Sequence, residues 1–158
     1  MRQYTNNITP DIIRSLKNLL PESELENFSG EEWKPVLEEI RKREKTPVRA
    51  IYRHATAGAL TRNGGMVYKA SGRNYFLIED GTELQLALVG DEVVYPNGDT
   101  AKIVSGTGEL LKSGDRSLAL VGSLLDNGDV IVSTPQGAGM LVEYEDMRFG
   151  DDFMKPEA

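Results

Sequence analysis

Cysteine is missing from the 158 residues, and histidine occurs once, at position 54. Without cysteine there is no disulfide framework, no thiolate zinc site and no cysteine nucleophile. A lone histidine supplies neither a zinc site nor a complete histidine-based triad, so His54 is read as a packing or surface side chain. Long apolar runs are absent too: none approaches the ~20 residues that cross a bilayer. The first ten residues show neither a cationic leader nor an apolar core. The expectation is a chain made in the cytoplasm, with no stable membrane anchoring. Positive charge is in deficit, since the formal net charge is −7. Binding to duplex nucleic acid runs on clustered Lys and Arg, so no nucleic-acid partner is expected. Glycine is nearly absent from the first fifty residues, where only Gly30 occurs among the sixteen of the chain.

That uneven distribution divides the chain. Residues 1–50 are electrically neutral, whereas residues 51–158 carry nine basic and sixteen acidic side chains and supply all of the net charge. Few glycines favour helices; frequent glycines favour tight turns between short strands. The organisation predicted is a helical N-terminal extension over 1–50 with two short helices, a β-domain over 51–142 and an acidic C-terminal tail over 143–158.

In the extension, Thr9-Pro10-Asp11 reads as a helix start, with a capping hydroxyl, proline at the first helical position and an acid in the first turn. Ile12, Ile13, Leu16, Leu19 and Leu20 then fall on one face, and Pro21 ends the helix. A second start lies at Phe28-Ser29-Gly30-Glu31-Glu32-Trp33, where Ser29 and Glu32 suit a capping box and Phe28 a staple onto Trp33. Pro35 removes one backbone bond, so this helix is expected to begin late or bend. Trp33, Val36, Leu37 and Ile40 share a face. Apolar stripes are usually core, and these side chains either close a local helical hairpin or form a docking face for an effector or other partner.

The remainder repeats itself. Ala87-Leu88-Val89-Gly90 recurs as Ala119-Leu120-Val121-Gly122, a looser copy is Thr56-Ala57-Gly58, and Gly58, Gly90 and Gly122 stand 32 apart. After each comes Asn-Gly, at Asn63-Gly64 (then Gly65), at Asn97-Gly98 after Tyr95-Pro96, and at Asn127-Gly128. Asn-Gly predicts a tight hairpin because both residues tolerate positive φ. Between these turns lie short β-prone runs, and further turn signals stand at Asp80-Gly81 and Ser113-Gly114. A unit of about thirty residues cannot bury a face alone, so three units are expected to share one core as a small conical β-body of pseudo-threefold symmetry.

The order of residues 56–67 and 87–99, then Ile103, Gly106, 119–122 and 127–131, resembles PAAR-repeat proteins, over about positions 54 to 135. That resemblance implies a β-cone that caps the trimeric valine-glycine-repeat (VgrG-type) spike of a type VI secretion system and carries effectors. The family's zinc ligands fall by motif match at Asn63, at Tyr95 and Asn97, and at Asp126 and Asn127. These residue types cannot rebuild its histidine and cysteine site, so no metal and no cofactor is expected. The apex, formed by the Asn63-Gly64-Gly65, Tyr95-Pro96-Asn97-Gly98 and Asn127-Gly128 turns, is expected to be held by side-chain hydrogen bonds and aromatic packing. The Asp80-Gly81 and Ser113-Gly114 turns are assigned to the opposite, spike-facing base. The partners implied are a trimeric spike and an effector or its chaperone, with the protein cytoplasmic before firing and delivered afterwards.

Catalysis is not expected. The carboxylates Asp91, Glu92, Asp99, Asp115, Asp126 and Asp129 mostly flank turn glycines, where a short acid bonds its own backbone. A carboxylate-dependent cell-wall hydrolase and a phage baseplate tip are the alternatives.

Overall fold

The computed structural model describes residues 2–17 and 30–157. They form a mainly β structure whose helices precede the strands in the sequence. Two units emerge: residues 1–6, 51–141 and 149–158 make the first, and residues 7–50 and 142–148 the second. Among the described residues no helix is long and apolar enough to cross a membrane.

In the second unit, α1 spans Pro10–Lys17. Thr9 caps it: its Oγ1 accepts from Ile12 N (3.3 Å) and its carbonyl from Ile13 N (3.1 Å). Leu19, Leu20, Pro21, Phe28 and Ser29 lie outside the described residues, and with them the end of this helix, the capping box and the staple. A 3-10 turn, Glu31–Trp33, leads into α2, Lys34–Lys45. Pro35 is thus the second residue of α2, inside the first turn where no backbone donor is needed, and the helix starts late instead of bending. Val36 and Trp33 are exposed at 46% and 40%. Leu37 and Ile40 are half-buried.

In the first unit, a five-stranded antiparallel sheet runs in the order β10 (Ile131–Ser133), β2 (Leu60–Thr61), β3 (Met66–Val67), β6 (Glu92–Val94), β7 (Thr100–Lys102). Three two-stranded sheets accompany it: β4 (Tyr75–Leu77) with β5 (Glu83–Gln85), β8 (Lys112–Ser113) with β9 (Arg116–Ser117), and β1 (Val48–Arg53) with β11 (Met140–Tyr144). The outer parts of β1 and β11 continue into the second unit. The core is small in every sense: Ala55, Ala59, Ala87, Ala101 and Ala119 pack with Val67, Val93, Val121, Ile103, Leu125 and Ile131. Such short side chains let backbones approach closely, and they do. Ala55 N donates to Ala119 O (3.0 Å), Ala119 N to Ala87 O (2.9 Å) and Ala87 N to Ala55 O (2.9 Å). Three segments far apart in sequence thereby close a ring of backbone hydrogen bonds around buried methyl groups.

Just after each ring alanine the chain reverses. Ala59 N bonds Thr56 O (3.1 Å), Asp91 N bonds Leu88 O (3.0 Å) and Ser123 N bonds Leu120 O (2.9 Å). Gly58, Gly90 and Gly122 sit third in these turns with φ of 88°, 96° and 104°. That is the left-handed geometry of a type II turn, which excludes a Cβ. The sequence showed these three glycines only as a repeat at an interval of 32; that they are turn positions is seen in the structure.

The first and last segments lie on this body. Tyr4 pairs with Thr134 through two backbone bonds (2.8 and 2.9 Å), and Asn6 Nδ2 donates to Val121 O (2.7 Å). The buried Arg53 guanidinium donates to Thr5 O and covers the Tyr4 ring at 5.5 Å. The acidic end is not a free tail. Met154 N bonds Gly106 O (2.7 Å), Glu157 N bonds Val104 O (2.7 Å), and Phe149 and Phe153 pack edge-on to Tyr52 (6.2 and 4.9 Å). The expected tail over 143–158 therefore divides, with residues 142–148 in the second unit and residues 149–158 in the first. Aromatic spacing outweighs acidic composition here.

Candidate functional site

All three Asn-Gly turns have one geometry, and it differs from the expected one. Gly64 N bonds Thr61 O (3.2 Å), Gly98 N bonds Tyr95 O (2.9 Å) and Gly128 N bonds Leu125 O (3.1 Å). The outer bonds Thr61 N to Gly65 O, Tyr95 N to Asp99 O and Leu125 N to Asp129 O are each 2.9 Å. The glycines have φ of 90°, 89° and 84°, while Met154 is the one non-glycine with positive φ among the described residues. Only glycine, not asparagine, is left-handed, so each is a type I turn closed by a glycine bulge. Asparagine contributes its side chain instead: Asn97 Oδ1 accepts from Asp99 N and Asn127 Oδ1 from Asp129 N, both at 3.0 Å.

The turns converge. Asn63, Tyr95, Pro96, Asn97 and Asn127 line one shallow pocket together with Asp99 and Thr100. Beneath it Asp129 is fully buried. Its carboxylate accepts from Tyr95 Oη (2.6 Å), Val130 N (2.8 Å) and Asn63 N (3.2 Å). Asn127 Nδ2 donates to the same Tyr95 Oη (2.9 Å). One carboxylate thus ties the turn at 63 and the phenol at 95 to its own turn. Burial alone would raise the Asp129 pKa, but hydrogen bonds from Thr61, Tyr95, Val130 and Asn63 hold it below the ordinary carboxylate value. Burial first, and then the Asp129 carboxylate, push the Tyr95 phenol up against an opposing hydrogen bond from Asn127. Gly65 stands where an added Cβ would lie 2.5 Å from Val93 Cγ1 and 2.9 Å from Tyr95. Its role is to make room for the phenol.

This donor set does not fit the zinc of the resembled family. The phenol and the carboxylate satisfy each other, Asn127 is used on both its oxygen and its nitrogen, and Asp126 Oδ1 accepts from Lys102 N (3.1 Å). Among the described residues no three His, Cys, Asp or Glu side chains form a metal-holding group. Asp129 was legible in the sequence only as a turn residue; its partner Tyr95 lies far away in the chain, and no spacing rule joins them.

A second buried carboxylate, Asp91, accepts from Leu88 N (2.8 Å), Ser71 N (3.0 Å) and Ser71 Oγ (2.6 Å), and pairs with Arg116 Nη2 (2.6 Å). Arg116 Nε also donates to Val89 O (2.9 Å). The cluster locks the turn at Gly90 and offers no free carboxylate for acid-base work.

The remaining sequence candidates fall elsewhere. Asp80-Gly81 forms the tip of β4–β5, with Gly81 N on Ile78 O (2.9 Å) and Asp80 Oδ1 accepting from Thr82 N (2.9 Å). Ser113 and Gly114 belong to the β8–β9 hairpin, whose register pairs Ser113 with Arg116. With Gly114 at φ 67° and no positive φ at Asp115, its two-residue loop is type II′. Trp33, Val36, Leu37 and Ile40 belong to the second unit. His54 packs its ring on Phe76 at 6.1 Å, and its Nδ1 is buried without a partner. Burial lowers its pKa.

Scans against protein-family models, curated proteins and solved structures each returned no match.

Proposed function

We propose that residues 51–142 are a stiff, non-catalytic spike tip of the PAAR-like kind, built as a cone of three pseudo-threefold repeats and seated on a trimeric VgrG-type spike. The observation that carries this reading is the alanine ring: each of three segments donates to one neighbour and accepts from the other, at positions 55, 87 and 119. A body arranged so can present near-equivalent surfaces to three identical subunits. The Asn-Gly turns gathered over Asp129 and Tyr95 form its point, where a hydrogen-bonded acid and phenol take the place of a metal. The Asp80-Gly81 and Ser113-Gly114 hairpins face the shaft. The helical segment, on which Trp33 and Val36 are exposed, recruits an effector or its chaperone. The protein is cytoplasmic before firing and leaves on the spike. The buried carboxylates Asp91 and Asp129 are both engaged by structural donors, which favours this role over a hydrolase.

Co-purification of the full chain with a candidate trimeric spike tests it, with one copy per trimer as the expected stoichiometry. Recovery of three copies per trimer, or none with any cognate spike, overturns it. The variant Trp33→Ala with Val36→Ala should lose effector recovery while keeping spike capture; the reverse pattern would exchange the roles of the two parts.

A further inference from the structure

The β4–β5 hairpin has one covered side and one open side. β5 is covered, since Ala57 N bonds Gln85 O (2.9 Å) and Thr56 bridges Leu86. β4 pairs with β5 alone. Its register sets Tyr75 opposite Gln85, Phe76 opposite Leu84 and Leu77 opposite Glu83. The bonds Ile78 N to Thr82 O and Leu86 N to Asn74 O, both 3.0 Å, bracket that register. Antiparallel pairs alternate between bonded and non-bonded positions. Residues 74, 76 and 78 therefore bond β5, and the backbone N–H and C=O groups of Tyr75 and Leu77 point to the open side. Their side chains are exposed at 55% and 68%. An open strand edge with apolar side chains is a template for another strand.

Along β4 runs a groove of about 590 Å³, lined by Phe76, Leu77 and Ile78 together with Tyr4, Pro135 and Ala138; no β5 residue lines it. The acids Glu79 and Asp80 stand at its rim, and Glu83 follows on β5. None of the three forms an ion pair among the described residues. One cation lines the groove, Arg2, which covers Tyr4 at 5.0 Å. The groove is thus apolar, lies beside an unfilled strand edge, and is acidic at one rim.

We propose that the open edge of β4 binds an extended basic segment of a partner protein by strand addition, with an apolar side chain in the groove and a Lys or Arg against Glu79, Asp80 and Glu83. A second copy of this chain is the poorer occupant, because paired antiparallel about Phe76 it would offer Glu79 the single cation Arg73 and set Asp80 opposite Gly72. The Asp80-Gly81 tip assigned above to the shaft belongs to this hairpin, so binding to the free chain, with no spike present, separates the two readings.

The test titrates the full chain into a fluorescein-labelled peptide, Lys-Val-Thr-Val-Lys-Val-Thr-Lys, and follows anisotropy. Two control peptides accompany it: one with Glu at every Lys, and one N-methylated at alternate residues, which keeps its side chains and loses strand pairing. Expected is saturable binding that weakens at least about 10-fold with either control, equivalent to about 1.4 kcal/mol. Leu77→Pro removes an outward N–H that no β5 residue uses and should weaken binding to the same degree. Glu79→Lys with Glu83→Lys, which leaves the backbone intact, should reverse the preference between the basic and acidic peptides. New amide protection on binding should be confined to Tyr75 and Leu77. Equal binding of the N-methylated peptide, no binding of the basic one, protection elsewhere, or sedimentation of the free chain as a dimer through this edge overturns the proposal.

Discussion

Replacing Asp129 with Ala strips the acceptor from Tyr95 Oη, Val130 N and Asn63 N, and removes the partner of the Thr61 hydroxyl. A buried polar group left without a partner costs about 1–3 kcal/mol. Asn63 is exposed and its N–H can turn to water, so the remaining groups carry the penalty and the expected loss is about 3 kcal/mol. For a chain of this size 1 kcal/mol moves Tm by about 2–4 °C, so Tm should fall by about 6–12 °C. Tyr95→Phe should cost about 1.5 kcal/mol, and the double variant should cost less than the sum, with a coupling of at least about 1 kcal/mol. Because the folded pKa of Asp129 lies below its unfolded value, its contribution is complete above about pH 4 and is lost as pH falls through the lower folded pKa. The gap in Tm between wild type and Asp129→Asn should therefore be widest near neutrality and narrow below pH 4. Differential scanning calorimetry between pH 7 and 2 measures both quantities. A loss under about 0.5 kcal/mol for Asp129→Ala, or strict additivity with Tyr95→Phe, would refute the idea that this carboxylate joins the turns.

Gly65→Ala should destabilise by about 1–3 kcal/mol in urea melts, because its Cβ would press on the Val93 and Tyr95 side chains. Gly64→Ala meets nothing within 4 Å and should cost about 1 kcal/mol through its φ of 90° alone; equal costs for the two would deny the crowding at Gly65. Arg116→Ala, which leaves Asp91 its backbone donors, should lose about 1–2 kcal/mol, and an unchanged Tm would mean that the ion pair is idle. As the sole histidine, His54 gives one resolvable imidazole titration by proton NMR, and its midpoint should lie below about 6.5. Its depressed pKa makes stability fall as pH drops below that unfolded value, and His54→Leu should flatten this slope; a midpoint at or above 6.5 would contradict its burial.

Where the backbone itself had to turn, the sequence was informative. Asn-Gly located three reversals, at 63–64, 97–98 and 127–128, because few residues other than glycine accept those angles, whereas Gly58, Gly90 and Gly122 were visible only as a repeat. Their type was not legible at the Asn-Gly sites, since asparagine tolerates a left-handed φ but does not demand one. The runs 66–68, 75–78 and 101–104 were legible as strands from Val67, Tyr68, Tyr75, Phe76, Ile78, Ile103 and Val104, and strands occupy part of each. What could not be read was anything joining distant positions. Alanine is too common to announce a ring at 55, 87 and 119, and an aspartate after Asn-Gly looks like turn chemistry whether or not a phenol waits above it. The end of the chain misled for a related reason: its acids are visible as composition, but Phe149 and Phe153 matter through Tyr52, which lies nearly a hundred residues earlier.

The closed circuit of alanines also sets the order of events during synthesis. Ala55 leaves the ribosome early, yet its N–H waits for the carbonyl of Ala119, and neither it nor Ala87 completes its bonding until that last member emerges. A nascent chain holding only the first two segments has two small apolar surfaces and nothing to close them. Folding should therefore arrive late and all at once, after translation has passed the third segment, and stalled chains shorter than that should be sensitive to protease throughout the β-body.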